Sequence, residues 1–150
     1  ALNYYLLGNA WFQCSYWGRA SGMFAAGKST DDTDRPDPYQ RGPTYLSSQP
    51  DPARYGAVYY RCRRAARFYQ RALDQHPDPE LAARAFYMLA ECDRRDRWMT
   101  ARRLGESSGV QEGDVASPFF RTWAKRYGKT AVYRERVERC PGLRAYLGLE

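Results

Sequence analysis

Two short patterns restrict the folds open to this chain more than any other feature. Tyr4, Leu7, Gly8 and Trp11 share one helical face near the start, and Ala65-x3-Tyr69-x2-Ala72-x4-Pro77 sets two alanines and a tyrosine on another face ahead of a proline. Small residues interleaved with aromatics at a helical period describe helices that approach each other closely. A helix pair of this kind cannot bury its apolar stripe alone and must stack on neighbours, which favours a binding scaffold over an enzyme. No stretch carries the period-2 alternation of a half-buried strand.

The expected fold is therefore all-α: antiparallel helix pairs stacked as a short array of five to six helices, in one domain covering residues 1–150. At 150 residues and 43% hydrophobic content the chain can bury one core without staples. A first helix is predicted from residue 3 to a stop between Gly18 and Gly27, carrying Tyr4, Leu7, Trp11, Cys14, Tyr16, Trp17, Met23 and Phe24. Residues 27–51 are rich in Asp, Pro, Ser, Thr and Gly and read as a long inserted loop, with 105–117 as a second, shorter one.

Asp51-Pro52, Asp78-Pro79 and Ser117-Pro118 each pair a capping oxygen with a proline suited to the first helical position, so helices should begin at 52, 79 and 118. The second helix is expected to run to Gln75. The third runs to about residue 94 and stays weakly helical to 104, and the fourth is closed by Gly128 at C′. A fifth follows Thr130, and Pro141 opens a final turn or short helix. Ala1 lies two residues from the start of a helical pattern, as expected of a piece of a longer protein.

The net charge is +7, almost entirely from arginine, since Lys28, Lys125 and Lys129 are the only lysines. These arginines are interleaved with Asp and Glu, which reads as a solvated surface rather than a phosphate track. No run approaches the roughly 18 apolar residues of a membrane span. Cys14, Cys62, Cys92 and Cys140 contain no Cys-x2-Cys spacing, which argues against a zinc site. Each lies inside or at the edge of an apolar helical pattern, so buried free thiols are expected. The alternative is an inter-helix disulfide in an oxidising compartment.

The pattern Tyr4-x2-Leu7-Gly8-x2-Trp11 resembles the first helix of the tetratricopeptide repeat, and Ala65-x3-Tyr69-x2-Ala72-x4-Pro77 resembles its second, split here by the 27–51 insertion. Phe86-x2-Leu89-Ala90 is similar to the first helix of a following repeat. The segment from Phe119 to Cys140 resembles the degenerate end of helical-repeat segments in large bacterial proteins. The resemblance implies a groove lined by the first helix of each pair. Carried over by position, the lining residues are Tyr5, Asn9, Phe12 and Gln13, then Tyr87, Glu91, Arg94 and Arg95. Asn9 stands where family members hold a peptide carboxylate, while Tyr5 stands where a carboxylate clamp needs a cation.

No motif for nucleophilic, zinc or phosphate-loop chemistry occurs, and the single histidine, His76, reads as a cation at a helix exit. Glu91 and Asp93 cannot share a helical face, and Asp31, Asp32 and Asp34 lack the glycine and closing glutamate of a calcium loop. The chain is thus expected to be no enzyme and to take no cofactor or metal. Its expected partner is a protein or peptide, including another part of its own parent chain, with no membrane span. Nucleic acid is disfavoured. The competing reading is a basic nucleic-acid or anionic-surface binder using the stripe Arg63, Arg64, Arg67 and Arg71. Tyr69 and Leu89 are expected to be core residues, whereas Asn9 and Arg95 are expected to be dispensable for stability.

Overall fold

The computed structural model describes residues 1–15, 17–18, 62–103 and 117–149, the side chains of 101–103 excepted. Among them are six α-helices and no strand: α1 (Leu2–Gln13), α2 (Arg63–Leu73), α3 (Pro79–Arg103), α4 (Phe119–Tyr127), α5 (Ala131–Arg139) and α6 (Pro141–Leu147). The 27–51 loop, the Asp51-Pro52 helix start and most of the 105–117 loop lie outside the described residues.

Contacts between α1 and α2 form a ladder in which partner numbers fall along α2 as they rise along α1. The Ala1 amino group meets the Gln75 side chain, Tyr4 stacks on Phe68, and Tyr5 tilts against Tyr69. Further along, Trp11 lies under the Arg64 guanidinium, and Ser15 meets the Cys62 thiol. The middle of the ladder is an interlock. A Cβ built on Gly8 would lie 2.6 Å from the Tyr69 ring, so only glycine admits the tyrosine at its observed depth. Ala65 and Ala72 flank it, both buried, as the spacing predicts.

The first helix is shorter than its pattern implies. It stops at Gln13, where Ser15 Oγ donates to the Phe12 carbonyl at 2.6 Å and Gly18 N–H bonds back to Ser15 O at 3.0 Å. Gly18 then lies against the Gln13 backbone with no room for a Cβ, so the chain has folded back there rather than continued. Nor does α2 extend back unbroken toward 52. Cys62 has φ 52°, a left-handed value that ends helical geometry at that point. His76, also left-handed at φ 47°, closes the exit of α2 ahead of Pro77.

α3 is one continuous helix of 25 residues rather than a helix to 94 with a weak tail. Asp78 caps it as the sequence predicts, accepting from the N–H groups of Glu80 and Leu81 at 3.1 and 3.0 Å. One part of α3 joins Cys62, Ala65 and Tyr69 through Cys92. Another supplies Ala83, Phe86 and Ala90 to a second core with Phe120, Trp123, Val132 and Leu143. α3 is therefore the element shared by both cores. Just ahead of α4, whose N-cap is Pro118, Ser117 Oγ accepts from Phe119 N–H at 3.2 Å while donating to Asp93 at 2.7 Å, so it ties the head of α4 to α3. At the other end α4 stops at Gly128, as expected, which is its C-cap with a right-handed backbone of φ −59°.

The N-terminus of α5 is capped twice. Thr130 Oγ1 accepts from Tyr133 N–H at 3.2 Å, and the Glu80 carboxylate accepts from Ala131 and Val132 N–H at 2.8 and 3.1 Å. A carboxylate at a helix N-terminus both satisfies orphan donors and complements the helix dipole. Replacing Glu80 or Thr130 by alanine should each destabilise the fold by about 1–2 kcal/mol. A double-mutant cycle by urea denaturation checks this, with non-additive losses expected because both groups serve the same helix end.

Candidate functional site

The eight groove candidates divide between two places. On α1, Tyr5 is half-buried, with its ring centroid 6.0 Å from that of Tyr69, and Phe12 packs on the core around Cys62 and Tyr69. Asn9 Oδ1 accepts a 2.9 Å hydrogen bond from the Tyr69 hydroxyl. These three side chains are therefore tied to the α1–α2 seam, while Gln13 is exposed.

On α3, the half-buried Tyr87 ring has its centroid 5.2 Å from Trp123 and 5.7 Å from Phe120, with the Arg136 guanidinium 4.9 Å from its own. One turn along, the Glu91 carboxylate receives Arg94 at 3.1 Å and Arg95 at 3.4 Å. Arg95 also lies 4.6 Å over the Trp17 ring, which meets Trp98 edge-on at 5.3 Å. The result is a half-buried strip of alternating aromatic and charged groups along α3, closed by Arg136 at one end and by Trp17 and Trp98 at the other. Burial lowers the Arg95 pKa, with the neighbouring Arg94 acting in the same sense and the Glu91 charge opposing both.

Arg136, Trp17 and Trp98 were not among the candidates. Arg136 comes from a helix some 50 residues away, and only α3's contact with α5 brings it over Tyr87. Trp17 lies on a helical period that the chain abandons after Gln13. The sequence reading expects Asn9 and Arg95 to be dispensable for stability, whereas the structure engages both side chains. The first holds the Tyr69 hydroxyl and the second is stacked and ion-paired, so alanine at either should cost about 1 kcal/mol.

Burial, reinforced by the Glu91 charge and partly offset by Arg136, pushes the Tyr87 phenol up from 10 to about 12. The unfolded phenol therefore ionises first. Tyr87's contribution to stability is complete below pH 10 and is lost as pH rises through the window from 10 to about 12. Comparing urea midpoints at pH 9 and pH 11 should show a smaller alkaline loss in Tyr87→Phe than in the parent chain.

The basic stripe divides around α2. Arg63 pairs with Asp96 of α3 at 3.6 Å, whereas Arg64 stacks on Trp11 at 3.9 Å and Arg71 lies 6.0 Å from the Tyr4 ring centre, both on the α1 side. Adjacent residues stand about 100° apart around a 3.6-residue helix and the i, i+4 series drifts about 40° per step, so Arg64 and Arg71 both lie roughly a quarter-turn around α2 from Arg63. Arg67 is exposed between them. A cleft of about 1010 Å³ also opens where α2 ends, α3 begins and α4 ends, with Leu73, Phe86 and Tyr127 in its walls and Lys125, Arg126 and Lys129 at its rim. None of the eight groove candidates lines it.

Among the described residues no group of three or more His, Cys, Asp or Glu side chains could hold a metal ion. No described helix is long and apolar enough to cross a membrane. The four thiols are free: Cys62 and Cys92 are buried as expected, Cys14 is half-buried and Cys140 is exposed, against expectation. Cys140 is exposed because it occupies the junction between α5 and α6. No protein-family model matches the chain, and no curated protein or solved structure matches it either.

Proposed function

We propose that this chain is a protein-interaction scaffold of the tetratricopeptide type. In this reading antiparallel helix pairs stack, and the first helix of each pair presents a face to an extended peptide or to another part of the parent chain. The observation that carries it is the interlock of Gly8 with Tyr69 between two buried alanines, because it gives both halves of the repeat-like pattern a common packing role. The α3 strip from Tyr87 to Arg95 supplies what a peptide groove needs: aromatic walls for side chains, and charged groups whose geometry is fixed by ion pairs before the ligand arrives. On α1, the bond from Tyr69 leaves the Asn9 carboxamide nitrogen as its donor end, suited to a backbone carbonyl.

The basic-surface reading gains less support, because three of the four stripe arginines are engaged by neighbours, Arg63 by Asp96 of α3 and Arg64 and Arg71 by rings of α1. Peptides selected by display against the folded chain provide the test, with affinity measured for Gln13→Ala and Arg94→Glu. A rise of tenfold or more in Kd, with the chain still folded and helical by circular dichroism, supports the groove. Binding indifferent to both substitutions, or tight binding to a random oligonucleotide that collapses with salt and with Arg67→Glu, contradicts it.

A further inference from the structure

The cleft between the ends of α2 and α4 is separate from the α3 strip and built differently. Its apolar lining comes from three helices: Ala82 and Phe86 of α3, Leu73 and Pro77 at the exit of α2, and Tyr127 of α4. Both sides are held in place. Tyr127 tilts against Phe86 at a centroid distance of 5.8 Å, and its carbonyl accepts from the N–H and the hydroxyl of Thr130 at 2.9 and 2.7 Å, closing the turn that carries Lys129. Opposite, His76 N–H returns to the Leu73 carbonyl at 3.0 Å, so the exit of α2 is a closed turn as well.

Around this lining stand Lys125, Arg126 and Lys129, all exposed. Among the described residues no carboxylate pairs with any of the three, although Arg63, Arg94, Arg95, Arg97 and Arg139 each hold one. Lys125 and Lys129 are also the only lysines among the described residues, so at this rim the compact ammonium replaces the arginine used elsewhere. Against these cations the lining holds one carboxylate, Asp74, which accepts from Gln70 Nε2 at 2.8 Å.

We propose that this cleft binds an extended acidic segment of a partner protein, with one apolar side chain against Leu73, Phe86 and Tyr127 and the flanking carboxylates on Lys125, Arg126 and Lys129. The dimensions fit. From Pro79 to Phe86 the helix covers about 10 Å, the length of about three residues of extended chain. A bare anion would leave the apolar lining unused, and the nearby helix heads are closed to it. Asp78 takes the N–H groups of Glu80 and Leu81, and Glu80 takes those of Ala131 and Val132. Negative charge is therefore met by side-chain cations alone, which suit carboxylates spread along a peptide, and the same cations steer an acidic partner toward the cleft. The site goes beyond the groove reading and stands whether or not the α3 strip binds a peptide.

The test follows the fluorescence anisotropy of a labelled probe, the peptide Asp-Glu-Asp-Leu-Glu-Asp-Glu, titrated with the full chain. Replacing the probe's leucine by serine should raise Kd about fivefold or more, because the apolar anchor is lost. Lys125→Glu combined with Lys129→Glu should raise it about tenfold or more, whereas Arg94→Glu on the α3 strip should change it by about twofold or less. On the unmutated chain, amide resonances of Leu73, Phe86 and Tyr127 to Thr130 should shift as probe is added, so the outcome does not depend on any variant folding. Equal binding of the leucine and serine probes overturns the proposal, as does an oligothymidylate of the same charge bound equally tightly. Shifts confined to Tyr87 through Arg95, or no shifts with the probe in large excess, overturn it too.

Discussion

Tyr69→Ala should lower the unfolding free energy by about 3–5 kcal/mol, measured by urea denaturation at neutral pH. The ring is fully buried and fills the space over Gly8 between α1 and α2, so its removal leaves a cavity that neither helix can close without sliding. The hydroxyl adds a smaller part. It donates to Asn9, and Tyr69→Phe should cost about 0.5–1.5 kcal/mol by deleting that bond while keeping the ring. Approached from the other side, Gly8→Ala gains about 1 kcal/mol of intrinsic helix propensity yet should still destabilise, because its methyl would press on the Tyr69 ring. A stabilised Gly8→Ala chain would mean that the interlock is loose.

The second large effect is expected at Trp123. Its side chain is fully buried, its ring centroid lies 5.2 Å from that of Tyr87 and 5.0 Å from that of Tyr133, and its indole N–H donates to the Ala83 carbonyl at 2.9 Å. One residue thus holds α3, α4 and α5 together. Trp123→Ala should cost about 3–5 kcal/mol, a large share of the 5–15 kcal/mol typical of a domain. Trp123→Phe keeps part of the ring contact and drops the hydrogen bond, so about 1–3 kcal/mol is expected. Because Trp123 belongs to the second core and Tyr69 to the first, the Tyr69→Phe and Trp123→Phe losses should nearly add if the cores are independent. Coupling between them would have to pass through α3.

Much of the helical scaffold is legible in the sequence because local chemistry decides it. Asp78-Pro79 and Thr130 cap helices where they were expected to, and Pro141 stands at the first position of α6. Ala65, Tyr69, Ala72 and Trp123 are all buried, as their spacing indicates. What escaped is non-local. Tyr16 and Trp17 continue the helical period of α1, but the chain turns back and places Gly18 on the Gln13 backbone, a contact that no periodicity announces. Cys62 lies within an apolar period too, and its left-handed backbone breaks it. Glu80 looks like an ordinary first-turn acid, yet it caps a helix 51 residues away.

The candidate site was legible to a lesser degree. Position within the repeat-like pattern pointed to Tyr87, Glu91, Arg94 and Arg95, and these do form one continuous strip along α3. It could not indicate that Asn9 and Tyr5 are engaged by Tyr69, because that depends on how deeply the tyrosine enters over Gly8. That Cys62 and Cys92 share one buried cluster was equally hidden, since their spacing carries no motif and only the packing of α2 on α3 brings both into it.

Tyr69 of α2 seats over Gly8 of α1 and sews the two patterned segments into one helix pair. Nuclear Overhauser contacts between the Gly8 α-protons and the Tyr69 ring protons test it most directly. Strong contacts are expected, with the Gly8 resonances displaced by the ring current and the Tyr69 hydroxyl proton protected from exchange. A Gly8 signal at its ordinary position, with no contact to Tyr69 and a freely exchanging hydroxyl, would contradict it.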